Sequence, residues 1–427
     1  MNKNTRIRGL NIAIQGATLV SRFLLIFFLA RYLEPAQLGL YGLLTATVGY
    51  ALYVLGFDFY TFAARELLRR ERSEWGGLLK NQGALALLFY IIFLPLLCIV
   101  FDRGLLPWSI AGWFFVLLVL EHLNQELGRL LVAISEPLLA SLVLFVRQGT
   151  WAIGITVCMA LLPATRSLVY VLGAWSVAGL VAFAVGANRV ARLELGAWRT
   201  RVDWNWIIAG LKISIPFFIA TLAIRGIFTL DRYWLQALGG LEVVGAYVLF
   251  AGISATLMTF LDAGVFAFSY PGLINAFNQK EPTLFRQRLR NMFALTCVLA
   301  AGFSVVSLLL LGPLLSLMKN PVYLAHQDLY PWLLASSVLY ALGMIPHFAL
   351  YAQGWDRPII ASHIASLLVF VAATSIFSAY SPAFAVPAGL CAAFLLILVW
   401  KSYAFFRLTP PQYRVATGPI ELTRTSL

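Results

Sequence analysis

Charge is what this chain of 427 residues has least of: Asp, Glu, Lys and Arg make up only 11% of it, with 18 acids against 31 bases. Soluble domains carry about 25% charged residues, so a water-facing globular surface is excluded. The four cysteines, Cys98, Cys158, Cys297 and Cys391, lie far apart in apolar sequence. That spacing offers neither a disulfide framework nor a thiolate metal site, and they read as small core residues. No Gly-x-x-x-x-Gly-Lys-[Ser/Thr] loop is present, so ATP is not used by that route. No loop gathers the acids or histidines that hydrolysis or glycosyl transfer requires. No metal, no cofactor and no enzymatic activity are expected.

What the chain has instead is apolar residue, 61% of its length. Crossing about 30 Å of hydrocarbon takes about 20 such residues in a helix. Twelve stretches qualify, near 10–33, 37–62, 79–101, 106–133, 138–162, 168–190, 207–231, 241–268, 292–317, 328–353, 358–380 and 383–405. The fold class is therefore an all-α polytopic membrane protein, since only helices satisfy their backbone groups within a segment in lipid. The first stretch is too long for a secretory signal, contains Arg22 and lacks a small-residue cleavage site, so it is expected to be retained.

The excess of bases suggests nucleic acid only until each is placed. With the N-terminus in the cytoplasm, 22 of the 31 fall on that side: Lys3, Arg6 and Arg8, five from Arg65 to Lys80, Arg129, four from Arg189 to Arg201, Lys280, Arg286, Arg288 and Arg290, Arg357, and four from Lys401 onward. The opposite side holds Arg31, Arg103, Arg166, Arg232 and Lys319, and four more, Arg22, Arg147, Lys212 and Arg225, lie within spans. This is the positive-inside pattern, with both ends cytoplasmic.

An internal repeat emerges when the first and seventh spans are aligned. Asn11-Ile12-Ala13-Ile14 and Leu29-Ala30-Arg31-Tyr32-Leu33 match Lys212-Ile213-Ser214-Ile215 and Leu230-Asp231-Arg232-Tyr233-Trp234 at one offset of 201. Gly39-Leu40-Tyr41-Gly42-Leu43-Leu44 matches Gly245-Ala246-Tyr247-Val248-Leu249-Phe250 at an offset of 206. Six spans per copy is an even number, so the halves insert as parallel repeats. The expected organisation is a six-helix lobe at 1–190, a basic linker at 191–206, a second six-helix lobe at 207–405 and a cytoplasmic tail at 406–427. Pro95, Pro216, Pro271, Pro346 and Pro387, with Gly149 and Gly154, sit inside spans, where they permit bends or close helix contact. Pro216, one turn from Lys212, is read as a bend.

The embedded arginines are the costly residues, each about 2.5–3.5 kcal/mol at a bilayer centre on insertion scales. They must face protein or water. Asn11, Gln15, Thr18 and Arg22 fall on one helical face, as do Ser214, Thr221, Arg225 and Thr229, with Lys212 nearby. Arg147 stands beside Gln148 in the fifth span. Two opposed polar stripes with a third arginine between them describe a cationic cavity between lobes, and an arginine fork suits a diphosphate. The competing reading pairs each arginine with a carboxylate, for which Asp58, Glu121, Glu126 and Asp262 are available. Those four are also candidates for coupling or gating. The polar run Glu121, His122, Asn124, Gln125, Glu126, Arg129 either binds sugar hydroxyls and protons or marks a helix end in the cytoplasm. His347 and His363 read as helix contacts rather than proton carriers.

The stretch Ala30-Arg31-Tyr32-Leu33-Glu34-Pro35-Ala36-Gln37-Leu38-Gly39-Leu40-Tyr41-Gly42-Leu43-Leu44 resembles the first-loop signature of bacterial polysaccharide and O-antigen flippases, the Wzx-like proteins of the multidrug/oligosaccharidyl-lipid/polysaccharide exporter superfamily. Asp231-Arg232-Tyr233 followed by Gly245-Ala246-Tyr247 resembles the matching signature of that family's second lobe. The resemblance implies a flippase of the bacterial inner membrane that moves an undecaprenyl-diphosphate-linked oligosaccharide between leaflets by alternating access. Arg22, Arg147 and Arg225 would then hold the diphosphate. Its implied partners are that polyprenyl-diphosphate-linked glycan, membrane lipid and other polysaccharide assembly proteins, with no nucleic acid. The superfamily's drug extruders commonly use a first-lobe carboxylate, where the first span here has Arg22. An ion-coupled extruder of small molecules and a membrane glycan polymerase or ligase are the rival functions.

Overall fold

The computed structural model describes residues 3–193 and 195–414. Residues 415–427 of the expected tail, Arg424 among them, lie outside the described residues, as do the side chains of Lys3, Arg6 and Arg8. The described residues are helical with no strand: α1 Lys3–Tyr32, α2 Pro35–Gly56, α3 Tyr60–Arg69, α4 Trp75–Leu96, α5 Ala111–Ala133, α6 Pro137–Leu161, α7 Leu168–Ala191, α8 Trp204–Leu261, α9 Ala267–Asn278, α10 Pro282–Met318, α11 Leu329–Ala352, α12 Asp356–Tyr380 and α13 Pro382–Leu408.

Ten helical stretches are long and apolar enough to cross a membrane. One of them, Trp204–Asn278, holds two crossings. Its helix α8 has 58 residues, which in a straight rod would measure about 87 Å at 1.5 Å per residue. Gly240 breaks it at φ 79, ψ −179, a conformation open essentially only to glycine. The chain turns back there, so α8 has two arms, up to Gly239 and from Leu241. Helix α5 supplies the remaining crossing: its 23 residues span the bilayer, but its polar second half lowers its hydropathy. The count of twelve follows. Helical φ/ψ continue through Pro216, and the break that turns the chain back comes at Gly240. The second span is also shorter than read, ending at Gly56 where Phe57 and Asp58 adopt left-handed φ of 51 and 49.

Twelve crossings bring the start of α1 and the end of α13 to one face, which also carries the base-rich loops; we call it the basic side. Toward the opposite side, the two halves share one apolar core. Leu25, Leu29 and Leu33 of α1, Leu38 to Val48 of α2, Phe114 and Leu118 of α5 and Met159 of α6 pack in one cluster with Val244 to Ile253 of α8, Leu315 of α10, Leu334 of α11 and Leu390 and Phe394 of α13. Two glycines close this seam. A Cβ on Gly39 would lie 2.1 Å from the Leu241 carbonyl oxygen, and one on Gly245 2.1 Å from that of Pro35. Such small-residue crossings let backbones touch. Toward the basic side the core divides into separate clusters: one in the second half around Leu261, Phe266, Met292 and Leu350, one of α3, α4 and the start of α8 around Phe59, Leu85 and Trp206, and one around Leu131 and Val143. The halves thus share one continuous core toward the far side, whereas toward the basic side they meet where α3 and α4 pack on the start of α8, with Phe57 stacked 4.0 Å from Phe218.

Candidate functional site

A cavity of about 1110 Å³ lies between the halves, walled by α1, α2, α5, α6, α7, both arms of α8, α11 and α13. Arg22, Arg147 and Arg225 all line it, and so does Arg232. Local structure explains the reach of Arg147. It sits in a five-residue π-helical turn, Val146–Thr150, inside α6. Such wide turns concentrate at functional sites because they re-aim side chains. A second π turn, Asp262–Phe266, ends α8 and places Asp262 on the cavity wall.

The four arginines differ in their partners. Arg147 is buried and ion-paired with Glu121, its Nε donating to Oε2 at 2.9 Å and its Nη2 reaching the same oxygen. The other carboxylate oxygen accepts the Trp175 indole N–H at 2.8 Å. Arg22 donates to the Gln148 amide oxygen at 3.1 Å, and Arg225 lies 5.0 Å above the Tyr53 ring of the opposite half. Among the described residues neither makes an ion pair. Arg232 donates to the Phe228 carbonyl at 3.2 Å, next to Asp231, which is buried and accepts from the Tyr247 hydroxyl. The wall thus sets four guanidiniums against three carboxylates, Glu121, Asp231 and Asp262. Around them stand hydroxyls and amides, including Thr45, Gln125, Gln148, Thr229, Thr256 and Ser336, and aromatic faces. Trp151 and Trp175 stack at 5.8 Å with Tyr41 beside them.

Several residues expected on the wall are elsewhere. The first stripe splits: Arg22 enters the cavity, whereas Gln15 donates to Ser141 at 3.1 Å and so ties α1 to α6, and Thr18 is buried off the wall with its hydroxyl donating to the Ile14 carbonyl of its own helix. The Asn11 side chain lies outside the wall with its Oδ1 buried and without a partner. In the second stripe Arg225 and Thr229 line the cavity; Ser214 is fully buried in helix packing, Thr221 is off the wall, and Lys212 is exposed on the outside of α8. Glu126 lies off the wall, bound to Arg129 at 2.5 Å and to Gln82 at 2.6 Å. Asp58 is buried in the turn after α2 and also lies off the wall. Arg232, placed on the side opposite the cytoplasm, is on the wall, within an arm of α8 that continues to Gly239; its spacing of seven from Arg225 is the signal that places both on one face. Lys401, assigned to the basic side's surface, is fully buried because α13 continues to Leu408.

Comparison with known proteins agrees with this architecture. The family described as polysaccharide biosynthesis protein matches residues 9–277, well over half of the chain. The chain belongs to that family. No curated protein matches it. Among solved structures it is similar to the inward-facing conformation of a multidrug resistance MATE family transporter of the MOP superfamily, with a TM-score of 0.74 at 14% identity, covering 93% of this chain and 98% of that one. The outward-facing conformation of a transporter so described gives 0.65 at 15% identity, over 94% and 96%. These likenesses establish the fold, a multi-pass membrane protein of MATE type.

Proposed function

We propose that this protein is a flippase that carries a polyprenyl-diphosphate-linked oligosaccharide from the inner to the outer leaflet of the bacterial cytoplasmic membrane by alternating access, with its basic side and both termini in the cytoplasm. The observation that carries the reading is Arg22 and Arg225, one from each half, facing a shared cavity without carboxylate partners. An uncompensated guanidinium in a low-dielectric wall is costly and persists where an anion offsets it. Its planar fork donates two parallel bonds to a phosphate. The size fits as well: about 1110 Å³ exceeds the 300–1,000 Å³ typical of small-molecule pockets. There is room for a headgroup with sugars, and the stacked Trp151 and Trp175 offer flat apolar faces to a sugar ring. Arg147 joins the phosphate contact only by exchanging Glu121 for a phosphate oxygen. Asp262 is the carboxylate on the wall left for gating. Membership of the polysaccharide biosynthesis family supports this substrate class.

The test is complementation of a deletion strain. Arg22→Ala and Arg225→Ala are expected to lose surface polysaccharide while lipid-linked precursor accumulates on the cytoplasmic leaflet. Normal polysaccharide in both single variants and in the double variant defeats the proposal. The fold's likeness to multidrug transporters favours a second reading, a small-molecule extruder. Unchanged polysaccharide with lowered drug resistance after deletion would establish that reading instead.

A further inference from the structure

Away from the cavity, three nitrogens meet inside the second half. The Lys401 Nζ of α13 lies 3.1 Å from His347 Nδ1 of α11 and 3.1 Å from His363 Nε2 of α12. The two imidazoles stack 6.2 Å apart at 9°. Lys401 has no solvent exposure. Among the described residues, none of the three has an ion-pairing carboxylate within 4.0 Å. Among the described residues, the hydrogen-bond partners of Lys401 Nζ are these two imidazole nitrogens, and α8 brings the backbone of Ala220 within reach of His363.

Three basic nitrogens with no acid among them are not a salt bridge and not a metal site. An ammonium buried without a counter-charge is stabilised here only by two imidazole lone pairs, and a second positive charge would have nothing to offset it. The cluster therefore holds one positive charge or none. The difference between those states is a single proton, gained or lost at nitrogen. Its surroundings connect it to the cavity. His347 is one turn beyond Met344, which lines the wall, and Ala220 precedes Arg225 by five residues on the same arm of α8. Any change in hydration of the wall at Met344 alters the cost of that charge, and any shift of α8 alters the reach of His363.

We propose that Lys401, His347 and His363 bind one exchangeable proton, and that this proton is the coupling ion of the transport cycle. The second half of the statement rests on the transport reading above. Loaded when the cavity faces outward and released when it faces the cytoplasm, the proton moves opposite to the lipid-linked anion, driven by the membrane's proton gradient.

The chain has four histidines, so each ring nitrogen signal in ¹⁵N-histidine spectra of the protein in lipid nanodiscs can be assigned with four single variants. Between about pH 5 and pH 9, His347 and His363 should change together, and Lys401→Met, of similar length without the nitrogen, should move that change by about one pH unit or more. Both rings fixed in one neutral form across this range, or an unaltered change in Lys401→Met, overturns the proton site. For coupling, spin-label distances between the basic-side ends of the two halves report the inward-open population. It should change about tenfold with pH in the wild type and become flat in Lys401→Met and in His363→Asn. Undiminished pH dependence in both variants overturns the coupling. Neither measurement uses a glycan, so these results and the polysaccharide assay fail separately. Folding of each variant is checked by its elution and melting profile, and His363→Asn stands in if Lys401→Met does not fold.

Discussion

Removing Glu121 gives the sharpest check on how the cavity wall is held. Its side chain is 8% exposed and that of its partner Arg147 is 10% exposed. The carboxylate has both oxygens engaged, one by Arg147 and one by Trp175. Breaking a buried pair by deleting one member costs about 3–5 kcal/mol, because the survivor keeps its charge without compensation. Replacing both members by apolar residues of similar volume is instead close to neutral. Glu121→Leu and Arg147→Met are therefore each expected to lose about 3–5 kcal/mol of stability, whereas the double variant Glu121→Leu/Arg147→Met loses less than either. Denaturant unfolding of the purified protein in one detergent, followed by tryptophan fluorescence, measures the cycle. Additivity of the two single losses within about 0.5 kcal/mol would refute the reasoning, since uncoupled sites add in that way.

Other consequences are simpler. Gly245→Val puts a branched side chain where even a Cβ comes within 2.1 Å of the Pro35 carbonyl oxygen; it should open the seam and raise labelling of cysteines placed at its far-side mouth, and unchanged labelling contradicts the closed seam. Gly240→Ala is expected to cost about 1–3 kcal/mol in melting experiments through its strained backbone, and an unshifted melt would argue against the break. Lys212→Gln and Thr221→Ala, both off the wall, should retain full surface polysaccharide. Arg232→Gln, on the wall, should reduce it severalfold, and the opposite ranking counts against the cavity as the path.

Much of the fold was legible because lipid imposes simple rules. Span lengths and the placement of bases give the helix count, and the embedded charges of Arg22, Arg147 and Arg225 mark the cavity without reference to any neighbour. What the chain did not disclose is which neighbour a polar face meets. Asn11, Gln15 and Thr18 share a face with Arg22, yet Gln15 reaches Ser141 of α6 while Arg22 turns into the cavity. Helix ends misled in the same way. A basic residue near a span's end reads as a surface charge, but Arg232 and Lys401 lie inside helices that run on past the apolar stretch. The pairing of Arg147 with Glu121 depends on the π turn in α6, for which the sequence around Gln148 and Gly149 gives no sign.

The central claim concerns an anion held between Arg22 and Arg225, and equilibrium binding tests it most directly. With purified protein in nanodiscs and an undecaprenyl-diphosphate-linked glycan as ligand, Arg22→Gln/Arg225→Gln should weaken binding at least a hundredfold, because each charge-assisted bond contributes about 1.5–3 kcal/mol. The monophosphate-linked analogue should bind the wild type more weakly than the diphosphate. Equal affinity of wild type and double variant for the diphosphate ligand would contradict the account.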